Sequence, residues 1–299
     1  MSQATISTTG RAASRPPLRS RSALSSPRKR ISKAAASVIL ALIGVVFLVP
    51  LAWIGLSAFN PSGTVAVKVP THPTMSNFSA VFTAHQTLIP LWNSTLMSLG
   101  TAVLTVGAAV LAAYPLSRYQ MRFGKPFMYG ILFGTCLPIT AMMVPVYSLF
   151  VYLHMLDSIP GTIFFMSAAA LPMAIWMMKN FIDSVPIALE EAAWVDGASS
   201  MKALTHVVVP LMRPGIAVVF IFVFTVAWGN FFVPFVLLSS PDHQPAAVAI
   251  YNFFGTYGAV AYGKLAAFSI LYSTPALVLY LLVQRFSGGS FAMAGAVKG

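Results

Sequence analysis

The sequence predicts an all-α polytopic membrane protein with six transmembrane helices. Three observations carry that prediction. Only 8% of the 299 residues are charged and 58% are hydrophobic, whereas a soluble domain carries about 25% charged residues. Mean hydropathy is +0.81. The apolar residues come in continuous runs, not in the alternating ~10-residue segments of a membrane barrel.

Spanning a bilayer takes about 20 largely apolar residues. Six stretches qualify: 34–56, 90–114, 127–150, 160–178, 215–239 and 265–284. Pro50, Pro138, Pro145, Pro172 and Pro275 fall inside or near the ends of these spans. Membrane helices tolerate such breaks where neighbours satisfy the freed backbone groups. The first run is longer than the apolar core of a signal peptide, and no small-x-small cleavage site follows it. It reads as an uncleaved first helix.

The net charge of +12 is concentrated at one end. Residues 1–33 hold Arg11, Arg15, Arg19, Arg21, Arg28, Lys29, Arg30 and Lys33, in a Ser-, Pro- and Arg-rich context with too little apolar surface to fold. This basic head is expected to be disordered, and residues 34–299 to form the membrane domain. The head suits topology and anionic headgroups, not nucleic acid. With the N-terminus inside, sixteen of the eighteen basic residues fall on that side and only Lys68 and Lys264 outside. Both termini are then cytoplasmic. Cys136 stands alone, and the five histidines lack metal-ligand spacing, so no metal is expected.

The outer segments are modest. Residues 57–89 contain the turn signal Asn60-Pro61-Ser62-Gly63 and a short helical pattern near 76–82; residues 240–264 contain Pro241-Asp242 and Pro245. Neither is large enough for a receptor domain. Asn77 and Asn93 sit in glycosylation-like triplets, a pattern short enough to arise by chance.

Four of the six acidic residues, Asp183, Glu190, Glu191 and Asp196, crowd into the loop 179–214. Its pattern is helix–glycine–helix. Ser184 can cap the first helix, with Pro186 in its first turn. Glu190 and Glu191 favour a positive helix end. Gly197 suits a left-handed stop. Ser199 or Ser200 can start the second helix, which Pro210 limits. Ile187, Glu191 and Val195 share one face, with Trp194 nearby. An amphipathic helix lying on the membrane would be rich in Lys and Arg. This one is acidic, so a docking knob for another protein is the better reading.

These residues carry a resemblance. Glu191-Ala192-Ala193, Gly197 and Pro210 match the E-A-A-x3-G-x9-I-x-L-P pattern of ABC importer membrane subunits, with Val207 and Val209 in place of Ile and Leu. The stretch 189–199, Ala112-Ala113-Tyr114 with Arg118, Pro145-Val146-Tyr147, Phe181, Pro186, Trp228-Gly229-Asn230-Phe231 and Gly295-Ala296-Val297-Lys298-Gly299 resemble the carbohydrate-uptake branch, in particular its maltose-type second permease. The resemblance covers about residues 34–299. It implies a type I ABC importer permease architecture. It also implies that Glu190, Glu191, Ala192, Ala193, Asp196, Gly197 and Pro210 belong to a coupling helix seated on a cytoplasmic ATPase. The implied partners are a homologous second permease, two ATPase subunits, an extracytoplasmic solute-binding protein and the lipid bilayer. No cofactor is implied in this chain; ATP and magnesium belong to the ATPases.

The chain lacks a phosphate loop, since Gly124-Lys125 precedes Pro126 and Gly263-Lys264 precedes Leu265. The lure Phe286-Ser287-Gly288-Gly289-Ser290, like an ATPase signature, is read as chance. No charged residue lies in 126–156 or 214–241, which argues against an ion-coupled carrier acting alone. A membrane-embedded enzyme would need a catalytic cluster, and none is present. Asn93, Thr140, Tyr147, Ser148 and Asn230 are uncharged candidates for a pathway suited to a sugar-like solute; helix–helix hydrogen bonding is the competing role for each. Gly130-x-x-x-Gly134 is a helix-packing signal.

Overall fold

The structure, a computed structural model, describes residues 27–254 and 260–286. The chain divides into two compact units, residues 1–50 and 51–299. Helix α1, Pro27–Ala58, crosses that boundary. It begins ahead of the expected start at residue 34, and most of the basic head lies outside the described residues, as does the tail after Phe286. From Val38 to Leu51 the large apolar side chains of α1 are 48% to 70% exposed. Such a surface is stable only against lipid or another apolar partner.

The rest of the second unit is helical apart from connecting turns. A short helix α2, Ser76–Val81, follows the outer turn at Asn60, whose side chain accepts from the Ser62 N–H. Then come α3 (Ile89–Arg118), α4 (Gly124–Gly134), α5 (Ile139–Tyr152) and α6 (Ile159–Asp183). The loop region carries α7 (Ala188–Val195) and α8 (Ser200–Leu211), the latter with a π turn at Leu204–Val208. Helices α9 (Arg213–Trp228), α10 (Phe232–Leu237), α11 (Ala246–Ala249) and α12 (Tyr262–Phe286) complete the described chain.

Among the described residues, four helices are long and apolar enough to cross a membrane, and six spans result if each bent pair counts once. Two expected spans are therefore corrected. The span 127–150 is two helices, α4 and α5, bent by 91°. Gly134 ends α4, and Pro138, which has no N–H to donate, sits at the start of α5. The span 215–239 ends at Trp228 with Gly229 as its cap. Asn230 Oδ1 then accepts from the Val233 N–H, which starts α10. At the other end of α9, α8 meets it at 80° across Met212.

The core is built where α3, α6 and α9 pack together. Ala102, Ala109 and Ala113 of α3 and Ala174 of α6 are wholly buried beside Val219, Val223 and Phe224 of α9. Lipid tails are as apolar as leucine, so helices in a bilayer associate through close packing of small residues and interhelical hydrogen bonds. The buried hydroxyls follow that rule: Thr105 donates to the Ser167 carbonyl and Ser167 to that of Ile163. Phe224, Trp228 and Tyr272 stack in series, and the Tyr272 hydroxyl donates to the Trp228 carbonyl. By contrast, a Cβ placed on Gly130 or Gly134 would meet nothing within 4 Å, so the expected packing motif packs on no helix of this unit.

Gly215 is different. A Cβ there would lie 2.5 Å from the Phe181 ring. The α6–α9 approach beside the loop therefore depends on a bare backbone. Gly215→Val should overpack this contact and cost about 1–3 kcal/mol, seen as a lowered thermal unfolding midpoint in detergent.

Candidate functional site

Helix α3 has 30 residues and is about 45 Å long, against roughly 30 Å of hydrocarbon. Its last turn can therefore project beyond the apolar layer. Three consecutive residues at that end grip the loop between α6 and α9. Ser117 Oγ donates to Asp183 Oδ1 at 2.5 Å. Arg118 Nε donates to Glu190 Oε1 at 2.6 Å and its Nη2 to the Val185 carbonyl at 2.9 Å. Tyr119 and Ser200 share a hydroxyl–hydroxyl bond at 3.1 Å. Lys179 adds an ion pair to Asp183 at 2.6 Å.

The Arg118–Glu190 pair is buried, with side-chain exposures of 6% and 0%. Glu190, one of the residues the resemblance assigns to the coupling helix, is thus an internal anchor of that helix. The reason is helical geometry. Ile187, Glu191 and Val195 face outward at fourfold spacing, so Glu190 and Trp194 turn the other way. Glu190 Oε2, the Trp194 indole N–H and the Tyr114 hydroxyl are buried there, none with a partner at hydrogen-bond geometry among the described residues.

The loop is shorter than expected. Residues 179–183 still belong to α6, and Arg213 already belongs to α9. Ser184 does not cap α7. It caps the end of α6, donating to the Phe181 carbonyl, and α7 starts at Ala188 without a side-chain cap. Gly197 is left-handed, φ +84°. The Ala198 N–H bonds to the Ala193 carbonyl and the Gly197 N–H to that of Trp194, the paired pattern of a glycine helix stop. Ser199 Oγ accepts from the Lys202 N–H and caps α8. Pro210 lies one residue before the end of α8.

What remains exposed is an elbow. Ile187 (44%), Leu189 (45%) and Val195 (88%) stand out, together with Glu191, Ala192, Asp196 and Gly197. Ala193 is half-buried.

The five pathway candidates do not gather at one place. Asn93 is buried and donates to the Asp242 and Gln244 carbonyls at 2.7 and 3.2 Å. It ties the segment 242–244 to α3. Thr140, Tyr147 and Ser148 lie on one exposed stripe of α5 with Val144 and Val151; Ser148 donates back to the Val144 carbonyl. Asn230 lines a separate cavity of about 160 Å³ with Thr101, Ile139, Met166 and Val226. The glycosylation-like Asn77 is also buried, donating to the Ala58 and Asn60 carbonyls.

Asp157 is a residue the sequence did not single out. At φ +58° it accepts from the Ser239 and Ser240 N–H groups, the Ser240 hydroxyl and His243 Nδ1, at 2.5 to 3.0 Å. Burial raises its pKa, but the Ser240 hydroxyl, these N–H groups and His243 outweigh it and hold the carboxyl at about 2.

The profile of the family described as binding-protein-dependent transport system inner membrane component matches residues 105–289. The chain belongs to this family. It is 34% identical to a putative ABC transporter permease of Streptomyces antibioticus over 77% of this chain and 100% of the relative. It is 32% identical to the trehalose transport permease of Mycobacterium tuberculosis, over 84% and 93% of the two chains. It is 28% identical to the galactooligosaccharides permease of Bacillus subtilis, over 88% and 94%. The crystal structure of a bacterial ABC transporter that imports alginate shares its fold, with a TM-score of 0.76 at 21% identity over 87% of this chain and 98% of the other. The resemblance to ABC importer permeases holds, and so does the membrane location.

Two predictions follow from the polar ties. Arg118→Met should destabilise the permease by about 3–5 kcal/mol, because it strands a buried carboxylate, and Arg118→Met with Glu190→Met should recover most of that loss. Thermal midpoints of the three proteins check it. Asp157 titrates at about 2 when folded against 3.8 unfolded. Its contribution is therefore full above about pH 4 and is lost as pH falls towards 2. Over that window the midpoint of the native permease should fall more steeply than that of Asp157→Asn.

Proposed function

We propose that this permease forms, with a homologous second permease, the membrane path for a sugar or sugar-like solute. Two cytoplasmic ATPases drive it through the elbow at Gly197, and an extracytoplasmic binding protein delivers the solute. ATP and magnesium act on the ATPases. Both termini and the loop face the cytoplasm on this reading, which the distribution of Lys and Arg supports. The supporting observation is the elbow itself, apolar and exposed outside, clamped inside by Ser117, Arg118 and Tyr119.

Glu191, Ala192, Asp196 and Gly197 would touch the ATPase. Glu190 acts through them by fixing the elbow to α3. The solute class is supported by the uncharged interior, the hydroxyl stripe of α5 and the cargo of the relatives, trehalose and galactooligosaccharides.

Moving a two-state transporter from 1:99 to 99:1 takes about 5.5 kcal/mol of differential binding. A soft connector would dissipate it. Gly197→Val forces a β-branched residue into left-handed backbone, and Glu191→Lys reverses a contact charge. In proteoliposomes carrying the whole complex, both should abolish most uptake while ATP hydrolysis persists. Normal uptake by these variants, or accumulation by this polypeptide alone, would refute the reading.

A further inference from the structure

We propose that the cleft between α3, α4 and α6 holds the headgroup of an anionic phospholipid of the cytoplasmic leaflet. The cleft encloses about 720 Å³, within the usual size of ligand sites. Arg122, Lys125 and Lys179 line it, and no acidic residue does. Lys179 is neutralised by Asp183. Arg122 and Lys125 form no ion pair among the described residues. Two uncompensated cations thus share one concavity at the loop end of the bundle.

The remaining walls are apolar and aromatic, with Tyr129, Leu132 and Trp176 among them. No residue of α4 is buried, and Tyr129 and Phe133 are 72% and 75% exposed. The cations therefore adjoin a helix face that needs an apolar cover. A soluble phosphate matches only the cations. A phospholipid matches both, its phosphate near Arg122 and Lys125 and its acyl chains along α4. Basic pockets between helices on the cytoplasmic side suit such headgroups. The leaflet rests on the orientation proposed above.

The test uses the complete transporter, purified in mild detergent from membranes holding equal phosphatidylglycerol and phosphatidylcholine, with bound lipid read by mass spectrometry. Phosphatidylglycerol should be retained preferentially. Arg122→Gln with Lys125→Gln should lower that retention about tenfold, and Arg122→Lys should keep most of it. Should the double variant fail to assemble, Lys125→Gln alone carries the comparison. Excess inorganic phosphate should leave retention unchanged. Equal retention of both lipids, unchanged retention in the glutamine variants, or displacement by inorganic phosphate would overturn the proposal. So would a photo-crosslinker at Tyr129 that captures a protein subunit instead of lipid. Lipid retention is read without transport, so its failure leaves the uptake reading standing, and failed uptake leaves this one.

Discussion

A buried ion pair between Arg118 and Glu190 is the constraint on which the loop's architecture depends. Taking two charges out of water costs several kcal/mol each, and their attraction repays this only with good geometry and added hydrogen bonds. Here the guanidinium meets the carboxylate at 2.6 Å and spends a second donor on the Val185 carbonyl. The pair then admits one placement of α7. If α7 slid or rotated, it would bare a charge inside apolar packing. An apolar anchor would tolerate several registers; this one tolerates one.

The consequence runs inward along α3. Ser117, Arg118 and Tyr119 hold the loop at Asp183, Val185, Glu190 and Ser200, which covers its start, its middle and the opening of α8. The same helix presents Ala102, Ala109 and Ala113 to α6 and α9. Close-packed small residues leave little slack. Gly215 against Phe181 removes more of it beside the loop. The elbow is therefore tied directly to the α3–α6–α9 core, as the proposed coupling needs. The Gly197 stop keeps the two arms of the elbow at a set angle, since both of its closing hydrogen bonds lie within the turn.

Much of this was legible in the residues. Hydrophobic runs located the four long apolar helices, because length and apolarity are what a bilayer selects. Gly197 and Ser199 were readable because their roles are local, set by backbone conformation and a short side chain. Two breaks were not. Pro138 was seen, but whether a proline kinks a helix or splits it depends on what packs nearby. Gly229-Asn230 reads in the sequence as part of a span, whereas Asn230 starts α10 by accepting from the Val233 N–H. Long-range pairings were the least visible. Glu190 joins a residue 72 positions away, and Asp157 gathers a loop more than 80 positions on. Helical spacing could have turned Glu190 inward once Ile187, Glu191 and Val195 were set outward. Nothing local named Arg118 as its partner.

The interior also explains why such a clamp is needed. A carrier that draws on an ion gradient keeps its energy input and its cargo in the same cavity, through ionisable groups at membrane depth. The stretches 126–156 and 214–241 hold no charged residue. The hydroxyls of Thr140, Tyr147 and Ser148 lie on an exposed face, and the cavity at Asn230 holds only about 160 Å³. These stretches thus offer a partial wall without the buried carboxylates an ion-coupled carrier would use. On the proposed reading, work enters from the partner ATPases outside the bilayer and a second permease completes the wall. The first demand requires a stiff handle at the membrane boundary, which Arg118 and Glu190 supply. The second requires an apolar, hydroxyl-bearing face left uncovered among the described residues, which α5 supplies. If the energy source lies outside the chain, as proposed, both features follow from one economy: the chain is shaped to be pushed.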